Sequence, residues 1–359
     1  MTPKKFIMVG ISGGVDSAVA AKLLCDEGHH VEALFMKNWE GDDTDTHCNA
    51  SEDITDAEQV CEQLNIKLNF VNFSEEYWDN VFAHFLEEYK KGRTPNPDIL
   101  CNREIKFNAF LEHAKHLGAD LIATGHYAKI FLQDNKFQLA RSEDQQKDQT
   151  YFLYTLTQKR LEQSCFPLGS LQKSEVRQIA QASGFTNYQK KDSTGICFIG
   201  ERKFKTFLEQ YLPATPGTIE SEAGVTLGQH DGLMYYTIGQ RKGLKIGGHK
   251  NTNELPWYVV KKDLSRNVLV VVQGHEHPLL FNSRLIAEDI HWIAGAPPNE
   301  LSSLSAKIRY RTKDSPCSLT LLDDNTWQVD FTTPEWAITS GQSVVFYKED
   351  ICLGGATIK

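Results

Sequence analysis

Phe6-Ile7-Met8-Val9-Gly10-Ile11-Ser12-Gly13-Gly14-Val15-Asp16-Ser17 is the stretch that decides the fold. A short apolar run ends in a Gly/Ser turn, and a helix is predicted from Asp16 to about Asp26. Between a strand and a helix, the glycines let successive backbone N–H groups turn inward as an anion nest. The helix N-terminus adds its dipole and its unpaired N–H groups. Ser12 and Ser17 supply hydroxyls, and Asp16 is placed to help position a magnesium ion. No lysine stands in a GxxxxGKS arrangement, so this is not a Walker loop.

Working outward, strands are expected at residues 31–36, 68–73 and 121–124. A helix is expected after Ser51-Glu52-Asp53, with Ile54, Ala57, Val60, Cys61 and Leu64 on one face. Ser74 is expected to cap a helix that carries Tyr77, Val81, Phe82, Phe85 and Tyr89 and ends at Gly92. Another helix is expected from about Arg103 to Leu117. Continuous apolar strands separated by helices predict a parallel, doubly wound α/β sheet. Ligands of such sheets sit at the carboxyl ends of the strands, which brings the loops after residues 11, 36 and 124 to one site.

Beyond Phe131 the alternation fades. Residues 131–140 read as a hairpin turning at Asp134-Asn135, and helices follow near 171–183 and 201–212. Pro213-Ala214-Thr215-Pro216-Gly217 reads as a linker. Short β-prone runs come next, at 235–238, 257–261 and 268–272. A further series at 285–293, 305–311, 318–322, 327–331 and 343–347 suggests a small barrel. The expected domains are therefore residues 1–212 for the nucleotide-binding catalytic unit, 213–280 for a small central β-rich unit, and 281–359 for a C-terminal β-barrel.

The bulk numbers exclude other classes. At 359 residues two or three domains are expected, and no apolar run reaches the length of a bilayer span. With no apolar or Arg/Ser-rich presequence before residue 6, the cytoplasm is the expected location. A net charge of −9 argues against a generally nucleic-acid-coating surface. It leaves room for a local basic track built from Lys90-Lys91-Gly92-Arg93, Lys190-Lys191, Arg241-Lys242, Lys261-Lys262 and Arg309-Tyr310-Arg311, each of which taken alone reads as a solvated face. His275-Glu276-His277 has no further clustered ligand and reads as a solvated turn.

The eight cysteines show no CxxC pair and no Cys/His ladder, so no structural metal is expected. Two of them sit in unusual surroundings. Cys101 ends Pro95-Asn96-Pro97-Asp98-Ile99-Leu100-Cys101-Asn102, where two prolines stiffen a turn ahead of a helix. A thiol there, near Arg103 and Lys106, is expected to have a depressed pKa. Cys197 lies in the Gly-flanked loop Thr194-Gly195-Ile196-Cys197-Phe198-Ile199-Gly200. Either thiol alone could equally be a buried structural cysteine.

The loop at residues 10–17 is similar to that of the PP-loop ATP pyrophosphatases, a group that includes synthetases and tRNA thiolases. The segments around Cys101 and Cys197 resemble the tRNA-specific 2-thiouridylase family within that group. So do Met36, Thr124-Gly125-His126-Tyr127-Ala128, Lys147-Asp148-Gln149-Thr150-Tyr151-Phe152-Leu153, Thr237-Ile238-Gly239-Gln240-Arg241-Lys242-Gly243-Leu244 and Ala306-Lys307-Ile308-Arg309-Tyr310-Arg311. These matches run in order through the whole chain. The resemblance implies adenylylation of the C2 oxygen of a wobble uridine, followed by sulfur transfer from a cysteine persulfide. It implies a persulfide on Cys197, Cys101 as its thiol partner and Asp98 as acid/base group. ATP contacts are implied for Gly10, Ile11, Ser12, Gly13, Gly14, Val15, Asp16, Ser17, Met36 and Gly125, with Mg2+ accompanying the nucleotide. Asn96, Pro97 and Asp98 would meet the base, and Lys147, Asp148, Gln149, Tyr310 and Arg311 the tRNA. The implied partners are tRNAs reading Lys, Glu and Gln codons and a cysteine desulfurase or sulfur-relay protein as persulfide donor.

Two other readings share the loop. An ATP-dependent ligase or synthetase acting on a small molecule would be indifferent to both cysteines. A non-catalytic RNA-binding module would keep the loop without binding nucleotide.

Overall fold

Phe6–Ile11 forms β1, whose Ile7, Met8, Val9 and Ile11 are all at most 2% exposed. Burying four such side chains contributes about 6–12 kcal/mol gross, which is why so short a strand can lie at the centre of a sheet. In the computed structural model, which describes residues 3–39, 49–192, 204–246 and 255–359, β1 leads into α1 (Val15–Asp26). Then follow β2 (His30–Lys37), α2 (Asn49–Leu64), β3 (Leu68–Asn72) and β4 (Leu121–Ala123). The hairpin β5 (Ala128–Gln133) and β6 (Lys136–Arg141) precedes the short β7 (Ser164–Cys165). The first sheet has the order β3-β2-β1-β4-β7 and every pair in it is parallel. The chain order reverses between β1 and β4, the switch point where open α/β sheets bind ligands.

Two long helical stretches pack on this sheet, and both contain a widened π segment. Residues 74–90 include Trp78–Phe82 in π geometry, and residues 97–116 include Cys101–Ala109. In the second, Phe107 departs from helical geometry (φ −107°, ψ 17°), so the helix expected from Arg103 is both longer and kinked. The first stretch is not capped as expected. Phe73 holds the N-cap position, and the Ser74 N–H donates to Asn72 Oδ1 at 3.0 Å, so the preceding asparagine does the work assigned to Ser74.

The hairpin turns at Asp134 (φ 50°) and Asn135 (φ 58°), both left-handed, as a two-residue turn between twisted strands requires. Its destination was not foreseen. β6 pairs with the last strand of the chain through Ile351 and Cys352, so a hairpin of the first domain extends the C-terminal sheet. That sheet closes on itself, because Phe281–Trp292 pairs with both Trp327–Trp336 and Ile351–Ile358, giving a six-stranded antiparallel barrel. Between the two lies a four-stranded sheet of Gly217–Ser221, Thr226–His230, Trp257–Asp263 and Val268–Gln273. Residues 235–238 join no strand: Leu233–Tyr235 is a 3-10 turn, set between Gly232 and Gly239, both at positive φ. Arg309 fastens this unit to the barrel, donating to the carbonyls of Ile238 at 3.0 Å and Ala337 at 2.9 Å. Among the described residues no helix is long and apolar enough to cross a membrane.

Candidate active site

The loop after β1 is closed by its own serines. Ser17 Oγ accepts from the Ser12 N–H at 3.2 Å and donates to the Gly14 carbonyl at 3.1 Å. Gly13 lies at φ +69°, and a Cβ there would come within 2.3 Å of the Asp53 carbonyl oxygen. The Gly13 carbonyl is drawn away from the nest by Asn187 Nδ2 at 3.0 Å and Lys190 Nζ at 3.4 Å. Across the switch point Gly125 follows β4, where a Cβ would lie 2.7 Å from the Asp16 carbonyl carbon and 2.8 Å from the Ser17 nitrogen. Gly10 backs onto Phe110 and Met36, whose nearest atoms a Cβ would meet at 3.1 and 3.4 Å. The loop is thus a cradle in which Gly13 and Gly125 are required by close approach to backbone and Gly10 is tightly backed, and it fits a nucleotide's phosphates.

Asp16 does not face open solvent alone. Lys173 Nζ donates to both its oxygens at 2.7 and 2.8 Å, and the Tyr127 hydroxyl donates to Oδ1 at 2.8 Å. A magnesium ion on this carboxylate would have to displace Lys173. The same ammonium reaches Asp192 at 2.7 Å, and Asp192 also takes Lys147 at 2.6 Å. Burial tends to raise the Asp192 pKa, but the hydrogen bonds from Lys147 and Lys173 outweigh it and hold the carboxyl below the usual range. Gln149 completes the frame, its Oε1 accepting from the Tyr127 N–H at 2.9 Å. Loop, Tyr127, Gln149, Lys147 and Asp192 therefore form one connected polar unit.

The second half of the site is the turn at residues 93–101. Asn96 is the N-cap, accepting from the Asp98 N–H at 3.2 Å, and Pro97 occupies the first helical turn, where its missing N–H costs nothing. Asp98 is half-buried and Cys101 fully buried, at the start of the π segment. Arg103, expected to favour the thiolate, instead pairs with Glu104 at 2.6 Å. Cys101 shares an apolar cluster with Met36, Ile105, Phe107 and Phe110, so the cysteine helix rests on the floor of the nucleotide loop. Asn102 Nδ2 donates to the Phe152 carbonyl at 3.1 Å, tying this helix to the segment after Gln149. Beneath, His126 Nδ1 lies 2.8 Å from Thr124 Oγ1, and burial, helped by Lys106, lowers its pKa well below the usual value, so the ring is neutral.

Of the residues the resemblance assigns to the tRNA, Lys147 and Gln149 are half-buried and Arg311 is exposed. Tyr310 packs against Phe152, with ring centroids 4.5 Å apart. Asp148 is turned inward, accepting from Thr150 Oγ1 at 2.8 Å. Cys197 lies outside the described residues.

Models of three families match the chain in succession: the "tRNA methyl transferase HUP domain" over residues 5–201, the "tRNA methyl transferase PRC-barrel domain" over 205–273 and the "Aminomethyltransferase beta-barrel domain" over 282–358. A tRNA-specific 2-thiouridylase of Colwellia psychrerythraea is 58% identical over 356 residues, covering 98% of this chain and 95% of its own. That of Idiomarina loihiensis is 58% identical, covering 99% of this chain and 96% of its own. The chain belongs to the tRNA-specific 2-thiouridylase family. The domain models carry the names of methyl-transfer proteins, but the end-to-end relatives are thiouridylases and decide the point.

Reasoning from sequence missed the residues that brace this 2-thiouridylase site. Lys173 opens the helix Lys173–Ala182, where a cation opposes the helix dipole. That misplacement was the available signal, and Asp16 and Asp192 are its physical reason. Lys190, read as half of a solvated pair, instead binds Asp53 at 2.6 Å and Asp56 at 2.5 Å beside the loop. Thr94 is held by the barrel, its N–H donating to the Ser340 carbonyl at 2.9 Å and its carbonyl accepting from Gln342 Nε2 at 2.7 Å. Nothing local in the sequence signals those contacts.

Proposed function

We propose that this chain is a tRNA uridine 2-sulfurtransferase that activates the C2 oxygen of the wobble uridine by adenylylation and replaces it with sulfur carried on a cysteine. The observation that carries the reading is the packing of the Asp98–Cys101 helix directly beneath the nucleotide strand, through Gly10, Met36 and Phe110. ATP supplies the AMP group that turns an amide-like oxygen into a good leaving group, with pyrophosphate as the other product.

The residues from Gly10 to Ser17 hold the phosphates on backbone N–H groups, with Ser12 as a hydroxyl donor, Ser17 bracing the loop through the Gly14 carbonyl and the Ser12 N–H, and Met36 and Gly125 walling the nucleotide. Lys173 supplies positive charge beside Asp16; magnesium accompanying the nucleotide would take Asp16 only in exchange for it. The uridine leaves the anticodon stack to reach this pocket. Asn96 and Pro97 seat it, and Asp98 takes the N3 proton as C2–O is activated and returns it when the thiocarbonyl forms. The terminal sulfur of a persulfide on Cys197 bonds to C2 as the C–O bond to AMP breaks. Cys101 Sγ then attacks Cys197 Sγ, the C2-bound sulfur is released as C=S, and a Cys101–Cys197 disulfide remains for an external dithiol to reduce. Lys147, Gln149, Tyr310 and Arg311 face the tRNA, while Asp148 fixes the turn that presents its neighbours.

The expected substrates are the tRNAs for Lys, Glu and Gln, and the donor a cysteine desulfurase or a relay protein, all in the cytoplasm. The test is thiolation of unmodified tRNA with ATP and a persulfide donor. Cys101→Ser and Cys197→Ser are expected to bind ATP and make no 2-thiouridine. Full activity of Cys197→Ser would sink the mechanism.

A further inference from the structure

Away from the nucleotide loop, all three domains meet around a cleft of about 680 Å³. Lys91 and Arg93 reach it from the first domain, Lys261 and Lys262 from the central sheet, Arg284 and Lys359 from the barrel. No aspartate or glutamate is among the described residues lining it. Four of the six cations meet carboxylates around it: Lys91 and Arg93 meet Glu88 at 3.2 and 2.6 Å, Arg93 also meets Glu288 at 2.6 Å, Arg284 meets Asp330 at 2.6 Å, and Lys359 meets Asp324 at 4.0 Å.

Lys262 is different. Its Nζ is buried and has no hydrogen-bond partner. Burial pulls its pKa down to about 8, with no neighbouring charge to offset it. A buried, unpaired ammonium is costly, and folds retain one where something else compensates it. The backbone is also arranged to deliver it. A β-bulge between Val259 and Lys261 bends the strand Trp257–Asp263 at the cleft, which Val260, Lys261 and Lys262 all line. Arg93 lies on the same short strap as Asn96, Pro97 and Asp98, so an anion bound here would sit on the approach to the reacting base.

We propose that this cleft binds a phosphate group, with Lys262 as its central contact, and that in the working enzyme the group is a backbone phosphodiester of tRNA; this rests on the reading of the chain as a tRNA-modifying enzyme. The experiment uses the full chain, with Lys262→Met and Lys262→Arg. Binding of unmodified tRNA is titrated across salt concentration, and melting is followed in inorganic phosphate against chloride at equal ionic strength. Lys262→Met is expected to bind tRNA about three- to tenfold more weakly, with a salt slope reduced by about one. It should also melt higher than wild type in phosphate-free buffer, since an uncompensated buried charge has gone. A merely structural lysine would not weaken binding while raising the melting temperature. Lys262→Arg should keep the affinity.

Phosphate stabilisation that depends on Lys262, with tRNA affinity and slope unchanged, would overturn the RNA assignment in favour of free phosphate. No dependence on Lys262 in either assay would overturn the site altogether. If wild type binds no tRNA yet phosphate still stabilises it through Lys262, the functional reading fails and the anion site stands.

Discussion

The nucleotide loop and the strap at residues 93–97 flank the same site but are held in opposite ways. The loop is braced from within its own domain, by Asn187, Lys190, Gly125, Tyr127 and Lys173. The strap is braced mainly from outside it, although Glu88 of its own domain shares Arg93 with the barrel. Ser340 and Gln342 of the barrel hold Thr94, Glu288 holds Arg93, and a Cβ on Gly341 would lie 2.8 Å from the Thr94 nitrogen. On the proposed mechanism, activation of the oxygen thus depends on one domain, whereas seating of the base depends on how the domains pack.

Gly13→Ala should have the largest effect. It combines positive φ with a Cβ 2.3 Å from backbone, so ATP binding and thiolation should both fall at least about 100-fold, measured by calorimetry and by 2-thiouridine yield. Lys173→Met comes next, because it leaves Asp16 and Asp192 facing the phosphates without their shared cation. It should raise the KM for ATP about ten- to hundredfold while the KM for tRNA changes little. Gly341→Ala, at φ +87°, should lower thiolation about tenfold by displacing the strap.

Glu88→Gln should be the mildest for activity and mainly affect stability. Glu88 is buried, and although burial raises its pKa, hydrogen bonds from Arg93 and Lys91 bring it below the usual value. A depressed carboxyl stabilises the fold fully above its ordinary pKa of about 4.5, and that contribution fades as the pH falls through the depressed value. The variant should therefore be destabilised by about 1–3 kcal/mol at neutral pH, and the gap to wild type should close in acid, followed by urea unfolding against pH.

What sequence could reveal divides along the same line. The strand–loop–helix of residues 6–26, the parallel sheet and the β-rich second half were legible because short-range patterns dictate them: apolar runs, glycine turns, and the Asp134-Asn135 hairpin. So was the Asn96–Cys101 turn, where Pro97 and the Asn96 cap act over four residues. What was illegible is long-range. The union of β6 with the last strand, the π widening under Cys101 and the barrel's hold on Thr94 arise from packing between segments far apart in the chain. Lys173 stands between these cases, because its unfavourable place at a helix start was visible while its two carboxylate partners were not.

The most direct test is to measure ATP affinity and single-turnover thiolation side by side on Gly13→Ala and Gly341→Ala. Separate bracing predicts that the first loses both, while the second keeps wild-type ATP affinity and loses thiolation. Equal loss of both by Gly341→Ala, or full thiolation by it, would contradict the account.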